Sequence, residues 1–223
     1  MMLGLMIGFS ASAQSLPNVK VEAQDGSTFS TSELVDGTPM IISFWMTTCK
    51  PCIAELNTIN DYLYEWLEEV DMKVVAVSVD DSRTLTRARG MAQGQGWDDF
   101  VCLYDKNQDF KRAMNVTSTP WVFVVDGEGN IVYINVMNNM SIDCDCDAHP
   151  AEPLLKDVGI LASTDPVALD QACLDIIFGI TPEEGNDNGP LLERIKERHG
   201  THIVDYSESI GLGSKEYELV NID

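Results

Sequence analysis

The chain has 223 residues, 44% of them hydrophobic, enough for one large domain or two small ones and too apolar for a disordered polypeptide. Its formal net charge of −22 argues against nucleic acid and anionic membrane surfaces as partners, since both would be repelled. The acidic residues are spread along the whole chain, as on a solvated surface.

At the N-terminus, Leu3 to Phe9 form a short apolar core, and Ala11-Ser12-Ala13 offers the small-x-small pattern of a signal-peptidase site before Gln14. No Lys or Arg precedes that core, and it is too short to span a bilayer as a helix. Residues 1–13 are therefore read as a signal peptide. The expectation is export to the periplasm or cell envelope, with no stable membrane span once the signal is removed. In such an oxidising compartment cysteine pairs persist as disulfides. Six cysteines are nevertheless too few to staple 223 residues, so each needs its own account.

The next segment, "SLPNVKVEAQDGSTFSTSEL", alternates weakly around Asp25-Gly26, a hairpin turn signal. "PMIISFW" (39–45) is a nearly continuous apolar run, the pattern of a strand buried on both faces. From Pro51 to Glu69 the apolar residues Ile53, Leu56, Ile59, Leu63 and Trp66 recur at helical steps. "MKVVAVSV" (72–79) is the next buried strand, followed by a polar helix from Ser82 to about Gln95. "FVCLYD" (100–105) predicts a short strand and Asp109 to Met114 a short helix. "STPWVFVVDGEGNIVYIN" then predicts two strands around Asp126-Gly127-Glu128-Gly129. Strands alternating with helices imply a central parallel-type sheet, to which the closing hairpin adds an antiparallel edge.

Near residue 135 the character changes to a polar, turn-rich loop. Thr164-Asp165-Pro166 then starts a helix, with a capping residue and a proline in the first turn. A second helix is expected from Pro190 to Arg198, and the last stretch mixes a short helix ending near Gly211 with a terminal strand.

Two cysteines in "SFWMTTCKPCIAEL" (43–56) carry the chemistry. A Cys-x-x-Cys metal site needs two more ligands, because zinc takes four. Those would come from Cys144 and Cys146, with His149 near by, about ninety residues away. Redox chemistry explains the placement better. A cysteine at a helix N-terminus meets about half a positive charge from aligned peptide dipoles, which favours the nucleophilic thiolate. Cys49 sits there, Lys50 adds positive charge, and Pro51 suits a first turn that needs no N–H. Cys52, one turn further in, is placed to attack a mixed disulfide at Cys49 and release the substrate.

Residues 17 to about 134 resemble the thioredoxin fold, and in particular the exported TlpA/ResA-like thiol–disulfide oxidoreductases. The matching stretches are "FWMTTCKPCIAEL", the long following helix, "VVAVSVD", and "VTSTPWVFVVD" before the final hairpin. The resemblance implies a cis peptide bond at Thr119–Pro120, with both residues facing the dithiol and the backbone of Thr119 pairing with a substrate strand. Lys50 and Pro51 join that substrate-contacting set. It also implies that Glu55 is the carboxylate held close to the dithiol, where it would take the Cys52 proton. Two positions depart from the family pattern. Thr48 stands where Trp is usual before the first cysteine, and Asn57 replaces a proline usual after the glutamate.

From about Tyr133 onward the chain resembles the C-terminal part of the family called domain of unknown function 362, without that family's cluster-binding cysteine runs. The Asp-flanked Cys144 and Cys146 are read as a surface loop motif, although a divalent metal would find ligands there. Cys102 and Cys173 are read as core residues.

The expectation is thus an α/β chain with three parts: a signal (1–13), a thioredoxin-like domain (14–134) with a central mixed sheet flanked by helices, and an α-rich extension (135–223). Its function would be thiol–disulfide exchange on proteins by Cys49 and Cys52, with an upstream redox partner and no cofactor beyond the dithiol itself. The alternative is a non-enzymatic metal-binding protein using Cys49, Cys52, Cys144 and Cys146.

Overall fold

The computed structural model describes residues 14–142, 148–149 and 151–222. The signal-peptide expectation at residues 1–13 and the candidate ligands Cys144 and Cys146 lie outside the described residues. The chain divides into two units between residues 132 and 133.

In the first unit, β1 (Lys20–Ala23) and β2 (Thr28–Ser30) form a hairpin about Asp25-Gly26, followed by a single 3₁₀ turn over Thr31–Leu34. Asp25 Oδ1 accepts the Ser27 N–H at 2.9 Å, and Gly26 takes the positive φ of 88° that the tight turn requires. β3 (Met40–Trp45) is buried along nearly its whole length, as its apolar run requires. It leads into α1 (Lys50–Glu69), which buries Cys52, Leu56, Ile59 and Leu63 at three- and four-residue steps. β4 (Lys73–Ser78), α2 (Leu85–Gln95), β5 (Val101–Tyr104), α3 (Asp109–Ala113) and β6 (Trp121–Val125) follow in order. β7 (Ile131–Met137) begins in this unit.

The strands pair in the order β2-β1-β5-β4-β3-β6-β7. Only β5-β4-β3 is parallel. The closing hairpin joins β3 antiparallel through β6, as the alternation implied, but the N-terminal hairpin joins too, with β1 antiparallel to β5. The sheet is therefore mixed on both flanks. Its core on the α1 and α2 side is centred on Trp45, Leu56, Leu63, Ala76, Trp97 and Tyr104. On the other side Phe44 meets Phe110 of α3 at 5.2 Å between ring centroids.

Local chemistry sets the boundaries. α2 starts at Leu85 rather than Ser82 because Asp81 Oδ1 accepts the Arg83 N–H at 2.9 Å, an Asx-type turn that competes with helix. It ends where Gly96, at φ 76°, turns its N–H back to Ala92 and Gln93. The short α3 is held at its start by Asp105, whose carboxylate accepts from the N–H groups of Asp109 (2.9 Å) and Lys111 (2.8 Å). The 126–129 turn closes on Asp126, which accepts from the backbone of Glu128 and Asn130. Gly127 is needed there, because a Cβ would lie 2.3 Å from the Gly37 carbonyl oxygen.

In the second unit, Tyr133–Met137 of β7 pair antiparallel with β8 (Gly159–Ser163), and α4 (Pro166–Gly179), α5 (Gly189–Glu197) and α6 (His202–Ser209) follow. The turn-rich reading around residue 135 missed both the end of β7 and all of β8, a short strand whose exposure alternates. α4 starts where expected: Asp165 Oδ1 caps it by accepting from Val167 (2.8 Å) and Ala168 (3.1 Å). It packs on β8 and α6. Among the described residues, those beyond α6 form no strand, against the expectation of a terminal one. No helix among the described residues is long and apolar enough to cross a membrane.

Candidate active site

The site begins where β3 ends. After Trp45 the chain makes one turn, closed by the Cys49 N–H on the Met46 carbonyl at 3.0 Å. Cys49 then caps α1: its φ and ψ of −90° and 92° are extended, and its sulfur accepts the Cys52 N–H at 3.3 Å. Pro51 occupies the first turn, where its missing N–H costs nothing. Cys49 and Cys52 are joined by a disulfide, S–S 1.98 Å with Cα atoms 5.3 Å apart.

The two sulfurs sit in different surroundings. Cys49 is half-buried, while Cys52 is wholly buried against Trp45 and Leu56. Only the first reaches the surface. Lys50 and Pro51 are exposed on the rim between them, as is Thr48. Glu55 lies one turn beyond Cys52 on the same helix face, half-buried, and accepts a 2.8 Å hydrogen bond from the hydroxyl of Ser43 on β3.

The Thr119–Pro120 bond is cis and both residues are half-buried. Trp121 opens β6 directly opposite Phe44, one residue from the end of β3. The sheet register therefore brings Thr119 and Pro120 to the same end of the sheet as the Cys49 turn. Cys49, Cys52, Glu55, Lys50, Pro51, Thr119 and Pro120 are gathered there by two neighbouring strands and one helix.

Three supporting residues escaped the sequence reading. Thr47 and Asp80 are both buried, and the Asp80 carboxylate accepts from the Thr47 N–H (2.8 Å) and the Thr47 hydroxyl (2.7 Å). Ser43 holds Glu55. The one available signal was a carboxylate ending the apolar run "VVAVSVD". Asn57, read as a departure from the family pattern, also has a partner: its Oδ1 accepts the Trp97 indole N–H at 2.8 Å.

The metal-binding alternative finds no support, since Cys49 and Cys52 are spent on each other in the disulfide. Among the described residues no group of three or more His, Cys, Asp or Glu side chains is arranged to hold a metal ion. Cys102 and Cys173 are half-buried. Burial, with Asp98 adding to it, pushes the Cys102 thiol up to about 11, and burial raises Cys173 as well.

These surroundings order the thiols by reactivity. In the reduced protein Cys49 is expected to alkylate first and at the lowest pH, with Cys52 shielded behind it. At pH 8 a Cys102 thiol pushed up to about 11 is only about one part in a thousand thiolate, so it labels far more slowly than an unperturbed thiol. Peptide mapping of iodoacetamide adducts across pH checks this; equal labelling of Cys49 and Cys52 at every pH contradicts it.

The Redoxin family model matches residues 11–145, the whole segment that carries the site from Cys49 to Pro120. The thiol:disulfide interchange protein DsbE of Yersinia pestis is 32% identical over 120 residues, which are 53% of this chain and 60% of that protein. The thiol-disulfide oxidoreductase ResA of Oceanobacillus iheyensis is 28% identical over 130 residues, 55% of this chain and 60% of that protein. This chain thus spans about three fifths of the length of the curated relatives it matches. Among solved structures, a thioredoxin-like protein from Porphyromonas gingivalis shares 44% identity at a TM-score of 0.48, covering 53% of this chain and 77% of that one.

Proposed function

This chain belongs to the Redoxin family, and from that premise we propose that it is a thiol–disulfide oxidoreductase acting on protein thiols and disulfides. Cys49 thiolate attacks one sulfur of a substrate disulfide, forming a mixed disulfide and releasing the other substrate sulfur as a thiolate. Cys52 then loses its proton to Glu55 and attacks the Cys49 sulfur. The Cys49–Cys52 bond forms, the Cys49–substrate bond breaks, and the second substrate thiolate leaves. The substrate gains two electrons and the dithiol loses them; an upstream dithiol partner restores it. Run backwards, the same steps oxidise a substrate dithiol. Direction is set by the reduction potential, where a tenfold change in equilibrium is only ~30 mV.

The observation that carries this reading is the asymmetry of the pair. A half-buried sulfur caps a helix, and its partner waits one turn behind it in an apolar core. Thr119 and Pro120 contribute the surface against which an extended substrate lies, with Lys50 and Pro51 on its rim. The test is turnover of a protein disulfide by the reduced full chain. The Cys144→Ser/Cys146→Ser double variant is expected to retain that turnover in full, because the exchange chemistry lies before residue 133. Loss of turnover in the double variant would place the C-terminal cysteines in the mechanism.

Export belongs to the same reading. The apolar core Leu3–Phe9 and Ala11-Ser12-Ala13 support a cleaved signal, which would deliver the enzyme to the periplasm or cell envelope. Mature protein from a secreting host should begin at Gln14; recovery of intact Met1 alone, in the cytoplasmic fraction, would refute export.

A further inference from the structure

We infer that Asp80 is a positioning residue for the nucleophile, holding the turn that delivers Cys49 to the start of α1; this rests on the reading of Cys49 as nucleophile. Asp80 follows β4 by two residues and is 4% exposed. Three donors converge on its carboxylate. Thr47 gives its N–H to Oδ2 at 2.8 Å and its hydroxyl to Oδ1 at 2.7 Å, and Ser78 gives its hydroxyl to Oδ2 at 3.0 Å. All three donors are uncharged. A buried carboxylate held by uncharged donors is a costly way to fill space, since desolvating it costs several kcal/mol. The arrangement makes sense if fixing Thr47 is its purpose.

Thr47 stands two residues before Cys49, inside the turn closed by the Cys49 N–H on Met46. Gripping one residue by both its backbone and its side chain fixes its backbone and χ1 together. Thr47 is itself only 3% exposed, so water cannot readily replace either bond. The ladder of β3 and β4 continues past the strand ends, with the Val79 N–H on the Trp45 carbonyl at 2.9 Å. Asp80 is thereby held at the level of the turn.

The anchor acts unequally in the two redox states. With the disulfide closed, the covalent bond itself fixes Cys49 beside Cys52. With the disulfide open, the sulfur of Cys49 stays in place only as well as its turn does. Loosening the turn therefore lowers the effective concentration of one thiol at the other and disfavours ring closure. The disulfide then becomes easier to reduce, and the potential rises.

The experiment measures the Cys49–Cys52 equilibrium of the full chain against dithiothreitol, read by mass spectrometry after alkylation. Variants are Asp80→Ala, Thr47→Val and Thr47→Ser. Asp80→Ala removes the acceptor of both Thr47 bonds and is expected to lower the disulfide's formation constant by about tenfold, ~30 mV more positive. Thr47→Val deletes only the hydroxyl bond at nearly constant volume and should fall between it and the parent. Thr47→Ser keeps both donors and should restore the parent value. If Asp80→Ala does not fold, the Thr47→Val and Thr47→Ser pair decides the question. A purely structural carboxylate would lower the melting temperature of both redox states alike and leave this equilibrium where it was; that result overturns the inference. Protein-disulfide turnover by the unsubstituted chain is measured separately. Its absence would sink the proposed function, while the shift in equilibrium would still decide the role of Asp80.

Discussion

Cys49→Ser is expected to reduce turnover of a protein disulfide to the uncatalysed background while leaving the chain folded. The substitution exchanges sulfur for oxygen at a half-buried position and keeps an N-cap side chain able to accept the Cys52 N–H. Serine is among the preferred N-cap residues, so the start of α1 is not weakened. What is lost is the sulfur that caps α1 and reaches the surface. A serine hydroxyl is not ionised at neutral pH, and an alkoxide forms no stable bond to a disulfide sulfur. Cys52 cannot take over, because it is wholly buried against Trp45 and Leu56. The check pairs turnover with circular dichroism on one preparation. Residual turnover in a folded Cys49→Ser variant would mean that a different thiol does the chemistry.

The largest loss of stability is expected at Trp97. Its ring is 1% exposed, meets Trp45 edge-on at 5.0 Å between centroids and stacks on Phe100 at 6.1 Å. Its indole N–H donates to Asn57, whose amide in turn donates to Gln95 at 2.8 Å. Trp97→Ala leaves a large cavity behind the dithiol and costs about 3–5 kcal/mol. Trp97→Phe keeps most of the packing and deletes only the indole bond to the half-buried Asn57, at a cost of about 0.5–1.5 kcal/mol. Urea unfolding followed by far-ultraviolet circular dichroism separates the two contributions. Equal midpoints for Trp97→Ala and the parent would remove Trp97 from the core of the site.

The uneven legibility of the sequence follows from how far apart the partners lie. The strands of residues 40–45 and 73–78 were readable because a strand buried on both faces must be written as an apolar run. α1 was readable because Ile53, Leu56, Ile59 and Leu63 repeat at its own period. The cysteine pair carried its chemistry locally, in a capping position with a proline behind it. Asp80 and Thr47 are 33 residues apart, and Asn57 and Trp97 are 40 apart. No local pattern announces such pairs; only the register of β3 on β4 and the packing of α1 on Trp97, two residues beyond α2, create them. Asn57 is the clearest case. In sequence it is a polar break in a helical stripe and a lapse from the family pattern, whereas in the fold it answers a buried indole. β8 was missed for a related reason, because five residues of alternating exposure between loops hold too little hydrophobicity to stand out.

The central claim, that Cys49 attacks and Cys52 resolves, is tested most directly by trapping the intermediate between the two steps. Reduced Cys52→Ser protein is mixed with a protein disulfide, quenched with acid, digested without reductant, and mapped by mass spectrometry. The mechanism requires one substrate chain joined through a disulfide to Cys49, accumulating towards one equivalent because nothing can resolve it. An adduct on Cys52 in the reciprocal Cys49→Ser protein, formed as fast and as fully, would contradict the account.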